Sequence, residues 1–488
     1  MPTRFYDVIV LGRETAAVAA AALLARRGFR ILWLGDGPPA ESYSLGGITL
    51  PLDPFVMCAV ERPAIGRVGD ELNLTQMLRR RLPQHKPAFQ VVLPRARLDV
   101  GDGDSLGKEL DREFGDVRQE VDGYLRSVQQ IDGHLDDLLG LHVTFPPQGF
   151  WERRETARVL PALRRLPDPL AALPPAHAFR SFCEAPVAFA ADAITASLTP
   201  PLRARLVSNW RHGTFRVPGG RAGLAEIFLE KSGGHSAELK PAIRAAKLTI
   251  QRGRVTGLLP EGKDDALGCE FLVAGVRPER LLALMGEGRP ARRFAEALSA
   301  LPVAARRFTV NFVVPAEAMP EGMTSLLVAA PPAGAGEPLL LAVTEPDAQG
   351  RVVLTAATLI PGNGTTEPGD RAAVMRRVAE VVPFLEWHTL LCHSPHDGLP
   401  PTGPLAEGVE PPPTFEMTPV YRTSGATHGM VGLPYRTGLK NAFYAGRASL
   451  PALGVEGEME AAWGVARILS KKRKVPDPLR KRSLFGLR

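Results

Sequence analysis

Cysteine is scarce in this chain, which has four in 488 residues, at Cys58, Cys183, Cys269 and Cys392. They are widely separated, and no two form a C-x-x-C pair. This spacing indicates neither a disulfide framework nor a thiolate metal site. We therefore expect a reducing, cytoplasmic setting.

Long apolar runs are also missing. The Ala-rich stretch near the start ends at Arg26 and Arg27, after far fewer residues than the ~20 that a membrane-spanning helix needs. A strand with an aspartate, Asp7, comes before this stretch. We therefore expect neither a secretory signal nor a transmembrane helix.

The body of the chain has no net charge. The formal net charge is +7, and the tail 471–488 carries eight basic residues against one acid, Asp477, which accounts for all of it. A neutral body argues against nucleic-acid binding, which requires a basic face. The tail is either a solvated end or an anchor to anionic lipid, in which case the protein would lie at the inner face of the membrane.

Motifs for covalent or metal catalysis are absent as well. No G-x-S-x-G sequence is present. His388, Cys392, His393 and His396 lie close together, but no second ligand cluster with zinc-type spacing accompanies them. The sequence predicts no metal site, and we assign no catalytic residue.

The N-terminal segment has the pattern of a dinucleotide-binding βαβ unit. Val8 to Leu11 reads as a buried parallel strand, an Ala-rich helix follows, and Ile31 to Leu34 reads as a second strand. The three positions of the G-x-G-x-x-G fingerprint are occupied by Gly12, Glu14 and Ala17.

The phosphate-binding chemistry of this unit is altered. Glu14 puts a carboxylate where a pyrophosphate would meet the helix N-terminus. Gly35 occupies the position of the ribose-binding acid, and Asp36 follows one residue later. A slip of one residue changes the direction of the side chain.

The rest of the chain reads as a mixture of helical and sheet segments. We predict a helical insertion over about Leu74 to Ser208, with one long or kinked amphipathic helix from Leu106 to Leu139, and an antiparallel sheet from Ala304 to Leu359. The Gly46-Gly47 doublet lies at a distance from the first strand where many flavoproteins pass their backbone beneath the cofactor.

Four ordered segments together resemble the phytoene desaturase-like branch of the FAD-dependent amine oxidase superfamily. These are the βαβ unit, the Gly46-Gly47 doublet, the Val217–Gly220 segment with the later hairpin at Gly253–Gly257, and the closing Tyr444-Ala445-Gly446 … Gly454-Val455-Glu456-Gly457 segment.

The resemblance implies an α/β fold with a Rossmann-like FAD-binding domain interleaved with an α+β substrate domain of antiparallel sheet and helices. The FAD-binding domain would comprise 1–70, 209–290 and 415–470, and the substrate domain 71–208 and 291–414. The residues implied to bind FAD are Gly12, Glu14, Ala17, Asp36, Gly46, Gly47, Gly446, Arg447, Gly454, Val455 and Glu456.

Departures from the family pattern cluster on the cofactor. Besides Glu14 and Gly35, Ile48 follows the Gly doublet where Arg or Lys is usual, and Arg447 stands where an Asp is usual. An opposed charge or unpaired phosphate contact costs ~1–3 kcal/mol. Compensation would follow if Glu14 paired with Arg13 or pointed away, if Asp36 reached the ribose, or if Arg447 neutralised phosphate.

The leading hypothesis is an FAD-dependent oxidoreductase that oxidises a lipophilic, isoprenoid-like substrate. Flavin would take a hydride from that substrate. The first alternative is a non-catalytic descendant that has lost FAD and acts as a binding or scaffold protein. The second is a protein that uses the altered pocket for another nucleotide.

Overall fold

A computed structural model describes residues 4–476 and 478, apart from 38–40, 102, 236, 332–335, 363–365 and 368. Its helices are α1 Thr15–Arg26, α2 Pro63–Leu72, α3 Thr75–Arg81, α4 Gly103–Phe114, α5 Arg118–Gly140, α6 Phe150–Arg164, α7 Ala178–Glu184, α8 Val187–Ala190, α9 Pro200–Arg211, α10 Gly220–Gly233, α11 Pro278–Met285, α12 Arg289–Ser299, α13 Gly369–Val381, α14 Leu385–His388 and α15 Gly454–Arg473.

Its strands are β1 Arg4–Gly12, β2 Ile31–Leu34, β3 Ser42–Leu45, β4 Ile48–Pro51, β5 Met57–Cys58, β6 Phe89–Leu93, β7 Ala96–Val100, β8 Thr214–Phe215, β9 Glu238–Lys240, β10 Ala245–Gln251, β11 Arg254–Pro260, β12 Leu267–Gly275, β13 Val303–Pro315, β14 Leu326–Ala329, β15 Leu339–Val343, β16 Arg351–Pro361, β17 Leu391–His393, β18 Thr418–Tyr421 and β19 Ala442–Tyr444.

The first sheet contains the predicted βαβ unit. Its order is β10-β11-β12-β1-β2-β9, with β19 pairing with β12. Strands β9, β2, β1, β12 and β19 are parallel, whereas β10 and β11 form an antiparallel hairpin. Val8 to Leu11 are fully buried because helices cover this part of the sheet, which is why the strand is continuously apolar.

The second sheet is mainly antiparallel, as the sequence predicts for 304–359. Its order is β17-β13-β16-β15-β14-β6-β7, and β18 also pairs with β13. The β6–β7 hairpin, which precedes the helices of the insertion, joins this sheet through a parallel pairing of β6 with β14. Strand β18 belongs to this sheet although it lies within the 415–470 segment assigned by sequence to the FAD-binding domain.

The predicted helix from Leu106 to Leu139 is broken once. Helix α4 ends at Phe114, and a 3-10 turn over Gly115–Val117 leads into α5. Leu110, Phe114 and Val121 face one common core on either side of the break. The apolar spacing therefore holds through the turn, and the weak helix former Gly115 marks the break.

No helix within the described ranges is both long enough and apolar enough to span a bilayer. The described architecture is two large sheets and two small two-stranded sheets, β3–β4 and β5–β8, with helical layers, in agreement with the predicted α/β fold class.

Candidate functional site

A cavity of about 320 Å³ lies at the carboxyl ends of β1, β2 and β12, beside the N-terminus of α1. Parallel strands that end together at one edge of a sheet form the usual ligand crevice of open α/β sheets. Four residues implied by sequence to bind a cofactor line it: Gly12, Glu14, Asp36 and Arg447.

Two glycines allow the backbone to turn at the base of this cavity. Gly12 has a φ of +103°, and a Cβ there would overlap the carbonyl of Gly275 at the end of β12. A Cβ on Gly275 would in turn overlap the Cβ of Ala17. Ala17 therefore lies against β12 rather than on the cavity, and it has the packing role expected for the third position of the fingerprint.

Glu14 and Arg447 form an ion pair at the N-terminus of α1. The Oε2 atom of Glu14 accepts hydrogen bonds from the backbone N and the Nε of Arg447, both at 3.2 Å. Both side chains are largely buried, with 12% and 19% exposed. Glu14 therefore does not pair with Arg13, which was one of the possible compensations, because Arg13 donates to the carbonyls of Gly37 and Pro241.

Burial by itself would lower the pKa of Arg447, but Glu14, Asp192, Glu41 and Glu458 outweigh it and raise that pKa well above the usual value. Arg447 is therefore a permanent cation in this cavity. Its backbone N–H and its guanidinium both point to one anionic group, which in this structure is the carboxylate of Glu14.

Arg13 explains why glycine stands at position 35. Its guanidinium donates to the carbonyls of Gly37 and Pro241 and lies over the ring of Trp33, 5.3 Å from the centroid. A Cβ on Gly35 would overlap the Pro241 carbonyl and would lie 2.7 Å from Arg13 Nη2. A side chain at position 35 is therefore incompatible with this arginine.

Asp36 is held by protein groups. Its carboxylate accepts from Arg280 Nε at 3.0 Å and Nη2 at 3.2 Å, and from the backbone N of Ala245 at 2.9 Å. The side chain is 5% exposed. Asp36 thus ties the end of β2 to β10 and α11.

The structure does not bring the Gly46-Gly47 doublet to the cavity. These residues are the two central residues of the β3–β4 hairpin turn, with φ values of +57° and +76°. Both require left-handed conformations, as in a type I′ turn. The hairpin tip packs near Leu405 and Val409, and Ile48 begins β4 there.

The remaining candidates lie behind the cavity. Gly446 is adjacent to Glu14, since a Cβ there would lie 3.4 Å from Glu14 Cγ. Gly454 begins α15 with a φ of +55° and packs against the carbonyl of Ala190. The next residue, Val455, is buried. Glu456 accepts from Arg205 Nη2 at 2.9 Å, so it is committed to a buried ion pair.

The cavity is rich in arginine, which the sequence analysis did not predict, although Arg221, Arg244 and Arg277 pair with Glu458, Glu261 and Glu416 outside its lining. Six arginines line it against four carboxylates: Arg13, Arg221, Arg244, Arg277, Arg280 and Arg447 against Glu14, Asp36, Glu41 and Glu226. Arg277 and Arg280 could have been found, because they directly follow β12, whose carboxyl end meets that of β1.

A second cavity, of about 440 Å³, lies against β14, β15 and β16 of the second sheet and shares Glu41 with the first. Its wall includes the apolar side chains of Phe55, Val56, Val217, Leu326 and Val343. The two cavities also meet along the start of α10, where Gly220 lines one and Arg221 the other.

One polar pair stands in the wall of this second cavity. His85 Nδ1 lies 2.8 Å from Ser325 Oγ. Burial, together with the positive charge of Arg216, lowers the pKa of His85 to about 4. The imidazole is therefore neutral at physiological pH.

The histidine-rich segment near residue 390 serves packing and hydrogen bonding. His393 Nδ1 lies 2.9 Å from Tyr43 Oη, His396 Nδ1 lies 2.9 Å from the Phe415 carbonyl, and Arg371 binds both oxygens of Asp397. Among the residues that the structure describes, no group of three such side chains is arranged to hold a metal ion.

The chain matches no family model and no curated protein sequence. Its structure resembles many solved structures. One is an oxidoreductase from Methanosarcina mazei, with a TM-score of 0.59 at 11% identity, over 94% of this chain and 100% of the other. Cyclohexylamine oxidase from Brevibacterium oxydans gives 0.54 at 14% identity, over 96% and 99%. A putrescine oxidase variant gives 0.57 at 12% identity, over 96% and 100%.

This chain has the fold of the FAD-dependent amine oxidases. Identities of this size show the fold alone.

The residues of the first cavity fit a dinucleotide such as FAD in position. The N-terminus of α1 lies where a phosphate binds in dinucleotide-binding folds, and Arg447 lies beside it. Glu14 is the exception, because its carboxylate already accepts the hydrogen bonds of Arg447. A phosphate would compete with this carboxylate.

Proposed function

We propose that this protein is an FAD-dependent oxidoreductase that oxidises a lipophilic, isoprenoid-like substrate, as phytoene desaturase-like enzymes do. The observation that carries the proposal is the meeting of two cavities at Glu41, one lined by arginines and one mainly apolar. A dinucleotide in the first would reach a hydrocarbon in the second. Bound flavin would accept a hydride from one carbon of that substrate, and the neighbouring carbon would lose a proton to bulk solvent as the double bond forms.

The residues of the chain would bind the cofactor and the substrate, and they would exclude water. Arg447 and Arg221 are the buried cations nearest the N-terminus of α1, and they would balance the pyrophosphate. Phe55, Val217 and Leu326 form an apolar wall that would hold a hydrocarbon and keep solvent out. No acid or base is assigned, because hydride abstraction from a hydrocarbon depends mainly on position next to the flavin.

The test is anaerobic reduction of the FAD-loaded protein. Isoprenoid hydrocarbons in detergent should bleach the flavin absorbance, whereas putrescine and cyclohexylamine should not. Val217→Asp, which introduces a charge into the apolar wall, should abolish bleaching without loss of FAD. Bleaching by the amines alone would contradict the proposed substrate class.

A second candidate function is a binding protein that works without FAD. It is favoured by the ion pairs Glu14–Arg447 and Asp36–Arg280, which satisfy the groups that a dinucleotide would use. Within the described residues, no charged side chain that lines the first cavity has a buried polar atom without a partner. Protein that FAD neither colours nor stabilises thermally, but that binds a fluorescent fatty or isoprenoid ligand, would support this function.

A further inference from the structure

Two large aromatic side chains stand exposed at the start of α6. Phe150 is 72% exposed and Trp151 is 69% exposed, and their rings are in edge contact with centroids 5.4 Å apart. Burying such rings contributes about 1.5–3 kcal/mol each. An exposed pair of this kind marks an interaction surface.

The surroundings of this pair are cationic. Arg153 and Arg154 follow it on α6 and are exposed, and the Arg154 guanidinium lies 5.8 Å from the centre of the Trp151 ring. Lys471 and Lys472, from the last turn of α15, lie beside it. The exposed Arg436 completes the group.

The neighbouring carboxylates do not offset this charge. Glu152 is 9% exposed and is bound by Lys471, with Arg467 Nε at 3.6 Å. Glu155 is paired with Arg158 at 3.3 Å. The surface formed by Phe150, Trp151, Arg153, Arg154, Arg436, Lys471 and Lys472, here called the aromatic–basic face, is therefore net positive.

A hollow of about 370 Å³ lies in this face, between the aromatic pair and the end of α15. The chain continues from the same helix end. Residues after 475 carry Arg480, Lys481, Arg482 and Arg488 against Asp477, and all of these lie outside the described residues. The basic tail thus begins beside the aromatic–basic face.

We propose that the aromatic–basic face docks on the surface of a bilayer that contains anionic phospholipid. Phe150 and Trp151 enter the interfacial layer, where aromatic side chains are favoured. The arginines and lysines of this face contact lipid phosphates, and the net positive charge of the tail strengthens the attraction to the bilayer. This inference extends the tail hypothesis to a folded surface and does not depend on FAD.

A second exposed aromatic pair provides a matched control. Phe384 is 61% exposed and Trp387 is 75% exposed, with ring centroids 5.0 Å apart. Between them lie the buried Leu385 and an exposed glutamate, Glu386. The two pairs expose similar apolar area and differ in the sign of the adjacent charge.

The test is sedimentation of the full chain with vesicles of phosphatidylcholine, with and without phosphatidylglycerol, at low salt. The wild type should bind only the anionic vesicles and dissociate as salt rises. Phe150→Ser with Trp151→Ser should weaken binding at least about tenfold, whereas Phe384→Ser with Trp387→Ser should leave it unchanged. Deletion of 476–488 should weaken binding without abolishing it.

Three outcomes would overturn the proposal: equal binding to neutral vesicles, full binding by the Phe150/Trp151 variant, or complete loss of binding on removal of the tail. All substitutions are at exposed positions, and thermal unfolding of each variant checks that it is folded. A brominated lipid should also quench tryptophan fluorescence in the wild type, and less so in Trp151→Phe.

Discussion

Glu14 and Arg447, 433 residues apart in sequence, are joined by two hydrogen bonds of 3.2 Å to a single carboxylate oxygen. The carboxylate lies at the N-terminus of α1, where the fold places a phosphate. The chain thus carries its own anion in a cavity lined by arginines. Displacing it would be the main cost of binding FAD.

Glu14→Gln should therefore tighten FAD binding. Removing the competing charge leaves the Arg447 guanidinium and N–H available for phosphate, which should lower the dissociation constant at least about tenfold. Arg447→Gln should raise it by a similar factor. Titration with FAD, followed by quenching of flavin fluorescence, measures both.

Glu226→Gln serves as the control for Glu14→Gln. Glu226 lines the same cavity but is exposed, so its loss should change affinity less than about threefold. If both variants bound FAD more tightly by the same factor, the effect of Glu14 would come from the overall charge of the cavity and not from its pairing with Arg447.

Asp36→Asn should destabilise the protein. The Asp36 carboxylate is buried and binds Arg280 and the Ala245 backbone, and the loss of such contacts costs about 1–3 kcal/mol in the free energy of unfolding. Arg280→Gln should cost a similar amount, and the double variant should cost less than the sum. Additive losses, measured by chemical denaturation, would show that the two side chains act independently.

Gly275→Ala should destabilise the βαβ unit by about 1–3 kcal/mol or more, because its Cβ would overlap that of Ala17. Gly133→Ala is the control. Gly133 lies within α5 with open space beside it, so alanine should stabilise the protein by about 0.5–1 kcal/mol. Thermal unfolding of both variants tests this contrast, and tolerance of Gly275→Ala would refute the packing argument.

His393 should make stability depend on pH. Burial, together with the positive charge of the nearby Arg371, lowers its pKa to about 4. Asn311 Nδ2 donates to Tyr43 Oη, which leaves the Tyr43 hydroxyl to donate to His393 Nδ1. The imidazole must be neutral to accept this hydrogen bond.

Because the folded-state pKa of His393 lies below the unfolded value of about 6.5, the unfolded chain binds more protons between these pH values. The contribution to stability is present above about pH 6.5 and should fall by about 2 kcal/mol between about pH 7.5 and pH 5. His393→Gln should lose this part of the pH dependence. Denaturation curves of the two proteins at both pH values give the difference, and parallel losses would exclude His393 as the source.

Local patterns predicted much of the fold. The continuous apolar strand Val8–Leu11 and the Ala-rich helix α1 are confirmed, because periodicity and burial act within a few residues. Parallel pairing of β6 with β14 joins segments more than 200 residues apart, and no local pattern specifies it.

The site was predicted only in part. Gly46-Gly47 was interpreted as a cofactor loop, but two adjacent glycines are equally typical of a hairpin turn. Glu14 and Arg447 were each recognised as departures, but their pairing depends on the tertiary fold. The domain boundaries stay predictions. Strand β18 lies within the segment 415–470 but pairs with β13 of the second sheet.

The central claim is that the cavity beside Glu14 and Arg447 binds FAD. The most direct measurement is the visible absorbance spectrum of the purified wild-type protein, with and without added FAD. We expect the absorption bands of bound flavin, saturating with added FAD and accompanied by a higher melting temperature. A protein that stays colourless after dialysis, with an unchanged melting temperature in excess FAD, would contradict the claim.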